Sequence, residues 1–392
     1  MKISQYAQSV TDSVTIAVST RAKQLKAKGI DVVSFGAGEP DFDTPLFIKD
    51  VAKRALDEGK TKYSPASGIP ELRAEIARKL KQENDLEYQP EQIVVTCGAK
   101  HAVYLALHAV VNPGDEVLIP TPYWVSYPEM VKLVGGIPKV INTYEKEGYK
   151  LTPQLLQQAV TPKSSLLMMN YPSNPGGFCY SPAELIEMGK VIADSELTVI
   201  SDEIYEKLIY GGVEFMSFAA ACPELYDKTI TVNGLSKAYA MTGWRMGYAA
   251  GPLEAAKAIG RLQSHMPSGP ATFCQVAAVE ALRSGDEEIK KMHAEFSKRA
   301  RHIYERLSAI EDVTCVEPTG AFYAFPKVSA HYARLGVKGS VEFCQQLLEK
   351  ARVACVPGAG FGCDENIRFS FATSMELIDE GLDRFEEFLK RA

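Results

Sequence analysis

Between residues 92 and 251, short aliphatic and β-branched runs alternate with stretches whose apolar positions return every three to four residues. The runs are QIVVTC (92–97), EVLIP (116–120), PKVINTY (138–144), SLLMMN (165–170), LTVISD (197–202), TITVNG (229–234) and MGYAAG (246–251). Near-continuous apolar runs of that length suit strands buried on both faces, and KHAVYLALHAVV and SPAELIEMGKVIADS suit helices laid over them. Strand, helix and strand in series predict an α/β fold: a three-layer α/β/α arrangement with a mostly parallel sheet between helices. From about residue 253 the pattern changes to long helices, then TCVEPTGAFYAFP, VACVPG, NIRFSFATS and a last amphipathic helix. That predicts a smaller α+β domain. The expected division is a large domain over 46–285 and a small one built from 1–45, with an N-terminal arm, and 286–392.

Composition narrows the partners. The 392 residues are 46% hydrophobic, enough for a sizeable core, and the net charge of -6 with mixed signs throughout speaks against a nucleic-acid binder. Eight cysteines show no C-x-x-C pair and read as buried free thiols in a reducing compartment. The N-terminus lacks the apolar core of a signal peptide, and no apolar run approaches the ~20 residues that span a bilayer, so a cytoplasmic protein with no membrane partner is expected. The six histidines have no ligand spacing, and no metal site is expected.

Chemistry enters with TVNGLSKAYAMTGWRMGYAAG (231–251), where only Lys237 and Arg245 are charged in a chain that is 23% charged. Ligands of open parallel sheets sit beyond the carboxyl ends of the strands, and Asp202, Asn174 and the pair Gly98 and Ala99 also follow strand runs. Singly, each has an ordinary reading. Asp202 suits a helix cap, Asn174 a turn and Lys237 a solvated loop. Together they suit one chemistry. A lysine among small and apolar residues, with an arginine eight positions on, has its pKa lowered by roughly one to several units, and its amine becomes nucleophilic. An amine, a carboxylate, an arginine and a helix start can hold pyridoxal phosphate through a Schiff base, a paired ring nitrogen and a bound phosphate.

NGLSKAYAMTGWRMGY resembles the lysine signature of class I aminotransferases, pyridoxal-phosphate enzymes of fold type I. AGEPDFDTP, KTKYSPASGIPELR, GDEVLIPTPYWVSYPEM, YPSNPGG, SDEIYEKLIY and IRFSFATS match the other blocks in order, so the resemblance covers nearly the whole chain. Within the family it is strongest to bacterial aspartate aminotransferases of the subgroup shared with prephenate aminotransferases.

The resemblance implies roles residue by residue. Lys237 would bond to the cofactor aldehyde and then shuttle the proton from the substrate Cα. Asp202 would pair with the ring nitrogen, and Asn174 and Tyr205 with the ring oxygen. Arg245, Ser236 and the amides of Gly98 and Ala99 would cradle the phosphate. Tyr63 would reach the phosphate across a homodimer with shared active sites. Trp124 would stack on the ring, with Tyr123 as its competitor. Arg368 would bind the substrate α-carboxylate, helped by Gly38. Lys100, with Ser13 and Thr15, would meet a distal carboxylate; otherwise Lys100 is a solvated residue of a first helical turn.

The implied reaction moves an amino group from L-aspartate to 2-oxoglutarate, the substrates being small amino and 2-oxo acids. Alternatives are prephenate/glutamate or aromatic transamination, or a lyase or decarboxylase on the same fold. Gly176, Thr11 and Asp12 depart from the pattern near the expected substrate mouth and weaken the case for prephenate. A nucleotide-binding dehydrogenase is suggested only by PGAGFGC (357–363), where Cys363 stands at the third glycine.

Overall fold

The computed structural model describes residues 1–11 and 14–391, giving only the backbone of residues 5, 6 and 14–16. After a short strand β1 (Val33–Ser34) come β2 (Ile93–Cys97), β3 (Glu116–Pro120), β4 (Ile137–Ile141), β5 (Ser164–Asn170), β6 (Thr198–Asp202), β7 (Thr229–Gly234) and β8 (Met246–Ala250). The seven strands after β1 form one sheet in the order β2-β8-β7-β6-β5-β3-β4. They are the seven runs read from the sequence. All run in one direction except β8, antiparallel to both neighbours. PKVINTY leaves the ladder earlier than expected. Its pairing with β3 ends at Pro120 and Ile141, and Thr143 turns its N–H to the Thr121 hydroxyl (3.0 Å).

Helices cover both faces because adjacent strand residues point to opposite sides. On β6, Ile200 packs in a core with Ala102, Val103 and Ala106 of the helix Ala99–Val110. Its neighbour Val199 packs in another with Leu185, Met188 and Ile192 of the helix Pro182–Ala193. With both faces dry, function is confined to the strand ends.

The C-terminal part supplies β9 (Tyr323–Ala324), β10 (Val353–Ala354), β11 (Val356–Pro357) and β12 (Ile367–Ser370). β1 pairs with β10, and β11, β12 and β9 form an antiparallel sheet. The glycine-rich run 357–363 makes a 3-10 turn at Gly358–Phe361, with Gly358 pressed against the carbonyls of Cys363 and Asn366; it is packed against its own chain and opens no helix. All eight cysteines are free thiols, but Cys97, Cys315 and Cys363 are only half-buried. Among the described residues no helix is long and apolar enough to cross a membrane.

A buried polar cluster fixes the segment that follows β6. Lys79, 3% exposed on the helix Pro70–Asn84, is paired with Glu206 and donates to Asn84 Oδ1 (2.6 Å). Asn84 Nδ2 donates to Glu206 (2.6 Å) and to Ser217 Oγ (2.9 Å), and Ser217 donates to Glu203 (2.6 Å), the residue after Asp202. Breaking one partner of such a pair strands a buried charge. The variant Lys79→Met should therefore lose about 3–5 kcal/mol of unfolding free energy in urea denaturation, and adding Glu206→Leu should recover most of it.

Candidate active site

The carboxyl ends of β2, β5, β6 and β7, and the start of β8, meet at a cavity of about 520 Å3. Lys237 lies just beyond β7, and its Nζ donates to the carbonyl of Gly38 (2.5 Å), 5.8 Å from the ring centroids of Tyr205 and Phe322. Burial is the main reason its ammonium is pushed down to about 8; Arg245 and Arg368 push the same way, and Glu39 and Asp202 oppose them. The free amine is therefore a minority species at neutral pH, but a far larger one than an ordinary lysine provides.

Asp202 ends β6, is 3% exposed and is followed by a turn, so it caps no helix. Its Oδ2 accepts from the Tyr127 hydroxyl (2.7 Å) and its Oδ1 from the Ile204 N–H (3.3 Å). Burial pushes its pKa up to about 6, against these bonds and the pull of Lys237. It stays mostly ionised at pH 7.

Arg245 precedes β8 with φ 58, a left-handed backbone that non-glycine residues rarely adopt. Its guanidinium donates to Thr242 O (2.9 Å) and Cys97 O (3.4 Å) and lies against Gly98, where a Cβ would stand 2.5 Å from Nη2. Gly98 differs from expectation in one respect. Its N–H is turned to Thr96 O (2.7 Å), so the helix start offers the amides of Ala99 and Lys100, whose N–H groups have no acceptor within the helix. A Cβ at Gly247 would collide with Ala99 N and the Gly98 backbone, so glycine there lets β8 lie directly against the helix start. Ser236 also faces the cavity.

Arg368 rises from β12 on the far wall, 2% exposed. It donates to Asn174 Oδ1 (2.8 Å) and Gly36 O (3.3 Å), and its guanidinium carbon lies 4.4 Å from the Tyr323 ring centroid and 5.1 Å from that of Phe361. Its buried Nε has no hydrogen-bond partner among the described residues. A buried guanidinium so placed calls for an anion. Lys100 places Nζ 4.7 Å from the ring centroid of Trp124, and burial, then Arg245, lowers its pKa.

Gly38, Ala99, Lys100, Trp124, Asn174 and Tyr205 all line this cavity, as do Asp202, Ser236, Lys237, Arg245 and Arg368. Tyr123 does not; its N–H is bonded to Phe361 O (3.1 Å). Tyr63 is elsewhere, 97% exposed, beside a surface hollow lined by 267–273. Asp12, Ser13 and the side chain of Thr15 lie outside the described residues. Gly176 is not part of the lining either, since the Phe178 ring fills its side-chain space, 2.6 Å from where a Cβ would stand.

Of the cavity residues that escaped the sequence reading, three make contacts that shape the site. Tyr127 braces Asp202, Asn170 links Asp202 O (3.0 Å) to the N–H of Asn174 (2.9 Å), and Tyr323 lies under Arg368. Asn170, a polar residue ending an apolar strand run, carried the same signal as Asp202. Tyr127 and Tyr323 carried none.

The residues present fit pyridoxal phosphate. A depressed amine, a buried carboxylate, and a guanidinium pressed against a glycine at a helix start match its aldehyde, ring nitrogen and phosphate. Comparison with known proteins agrees. The description "Aminotransferase class I and II" matches residues 30–385. The chain is 45% identical over 390 residues to an aspartate aminotransferase of Geobacillus stearothermophilus, covering 100% of this chain and 99% of that one. It is 45% identical over 385 residues to an aspartate/prephenate aminotransferase of Cereibacter sphaeroides, covering 97% and 96%. Among solved structures it superimposes on the aspartate aminotransferase of Rhizobium meliloti with a TM-score of 0.95 at 38% identity, over 100% of this chain and 99% of the other. That of Thermus thermophilus with maleate gives 0.94 at 39%, over 99% of each. Sequence, fold and site thus agree: the chain belongs to the class I and II aminotransferases and is a transaminase that uses pyridoxal 5'-phosphate.

Proposed function

We propose that this transaminase takes the amino group of L-aspartate to 2-oxoglutarate, giving oxaloacetate and L-glutamate by a ping-pong mechanism. The observation that carries the substrate is the pair of cations on separate elements. The fork of Arg368 suits an α-carboxylate held through both oxygens, with the Gly38 amide beside it, and Lys100 at Trp124 suits a second carboxylate. A dicarboxylic substrate satisfies both. Relatives named aspartate aminotransferase, and a solved relative holding the dicarboxylate maleate, support this reading. Ser13 and Thr15 are assigned to the same distal carboxylate.

Pyridoxal phosphate supplies an aldehyde for covalent attachment and a ring that takes up electrons from the substrate. Lys237 Nζ would hold its aldehyde carbon and, when free, would take and return the proton at the substrate Cα. Asp202, braced by Tyr127, keeps the ring nitrogen protonated. Asn174 gives its carbonyl oxygen to Arg368, which leaves its NH2 to donate to the ring oxygen alongside Tyr205. Arg245, Ser236 and the amides that open the helix Ala99–Val110 hold the phosphate, and Trp124 covers the ring.

The remaining parts of the reading concern the assembly. Tyr63, almost fully exposed, suits contact with a second copy, in a homodimer whose sites share it. The large unit 46–285 holds the seven-stranded sheet and the small unit of 1–45 and 286–392 the short ones, and the enzyme works in the cytoplasm. A second reading takes prephenate as amino acceptor, favoured by the C. sphaeroides relative and by Gly176 not lining the cavity.

Three outcomes test the proposal. Lys237→Ala should lose more than about 10^3-fold in turnover, and borohydride followed by peptide mapping should label residue 237 in the parent only. Covalent capture of the cofactor by the apoenzyme needs the free amine, so its rate should rise with pH and level off above about 8, where an ordinary lysine would keep rising to about 10. Lys100→Ala should raise KM for aspartate and 2-oxoglutarate by about 10-fold or more while sparing aromatic donors, since a charged hydrogen bond is worth about 1.5–3 kcal/mol. Equal losses on both classes in kcat/KM assays would count against the distal contact.

A further inference from the structure

Tyr323 has no role in the scheme above, yet it touches two of its members. Its hydroxyl lies 2.9 Å from that of Tyr205, its ring lies 4.4 Å from the guanidinium carbon of Arg368, and its side chain is fully buried. The backbone fixes it there. Tyr323 pairs with Ser370 across β9 and β12, and Arg368 lies two residues earlier on the same face of β12.

Two phenols in contact hold two protons. Burial pushes both pKa values up, so both stay protonated at neutral pH, with one proton in the shared bond and the other directed elsewhere. Which phenol donates depends on the surroundings. Arg368, stacked on the Tyr323 ring, favours the ionised form of both phenols, but after burial it is the leading influence only on Tyr323, and on Tyr205 it is opposed by Asp202. Tyr323 is the stronger donor and Tyr205 the better acceptor.

We propose that Tyr323 is a positioning residue: its hydroxyl donates to Tyr205 Oη, which leaves the proton of Tyr205 free to point into the cavity. The inference rests on the role given above to Tyr205, donation to the ring oxygen of the cofactor. Tyr205 also donates more strongly because its own oxygen is already accepting. A proton held by that ring oxygen is held less firmly the stronger the donation. The pH midpoint of the bound cofactor's visible absorbance therefore depends on the Tyr323 hydroxyl.

The test uses holoenzyme reconstituted with pyridoxal phosphate and titrated spectroscopically. Tyr323→Phe keeps the ring under Arg368 and removes only the hydroxyl. Its midpoint should rise by roughly half to one pH unit, the equivalent of one neutral hydrogen bond, while its Kd for maleate stays within about twofold of the parent. Tyr323→Leu should shift the midpoint equally and weaken maleate binding by about threefold or more, since the ring face on the guanidinium is lost. The double variant Tyr205→Phe with Tyr323→Phe should have the midpoint of Tyr205→Phe alone. An unmoved midpoint in Tyr323→Phe, or a further shift in the double variant, overturns the proposal. If Tyr205→Phe itself leaves the midpoint unmoved, the role of Tyr205 fails and this inference with it. Borohydride labelling of Lys237 separately tests whether the cofactor is held as proposed.

Discussion

Lys237, Arg245 and Arg368 are gathered into one cavity whose acids are Asp202 and Glu39, and loss of water there, with the repulsion among those cations behind it, governs the site. In a partly dry space, like charges act over several ångströms with little screening. The protein uses the imbalance in two ways. It brings the ammonium of Lys237 far closer to losing its proton than an ordinary lysine, and it leaves the Arg368 guanidinium with an unpartnered nitrogen. An anion bound there supplies the missing partner, so the call for an anion and the depressed amine share one origin in the dry cavity. Asp202 is the counterweight. It is buried deeply enough to be pushed upward, but Tyr127 and a backbone amide hold its charge in place.

The fold makes this crowding affordable. Both faces of the central sheet are sealed by helices, so polar groups find room at the ends of strands, and parallel strands bring those ends to one edge. The segment after β6 is tied down by the Lys79 cluster, which satisfies each buried charge with a partner. A buried carboxylate that faces a binding cavity at a set angle cannot stand on a loose loop.

Much of this was legible in the chain. Seven apolar runs became the seven strands of one sheet, because strands dry on both faces show as unbroken aliphatic runs. Lys237 and Arg245 stood out because their surroundings have no other charge. Tyr127, Asn170 and Tyr323 did not, since their significance comes from contacts across 75, 32 and 118 residues of chain, which no local pattern carries. The amide of Gly98 was misjudged for a related reason: its turn toward Thr96 is a local backbone bond that composition does not reveal. The departure at Gly176 is explained by a neighbour two residues on, whose ring takes up the volume that a larger residue would need.

One reversed strand, β8, has a broader consequence. It carries Arg245 to the rim from its starting end, whereas Asn170, Asp202 and Lys237 arrive at or just past the finishing ends of theirs. The amine and the guanidinium are therefore joined by a single tight excursion, 235–245, and not through a helical crossover. Crossover helices elsewhere can lengthen, shorten or be exchanged over evolution without disturbing the spacing of these two groups. An insertion in that one loop would change it at once, which makes the loop the stretch least tolerant of length variation in any redesign of the scaffold.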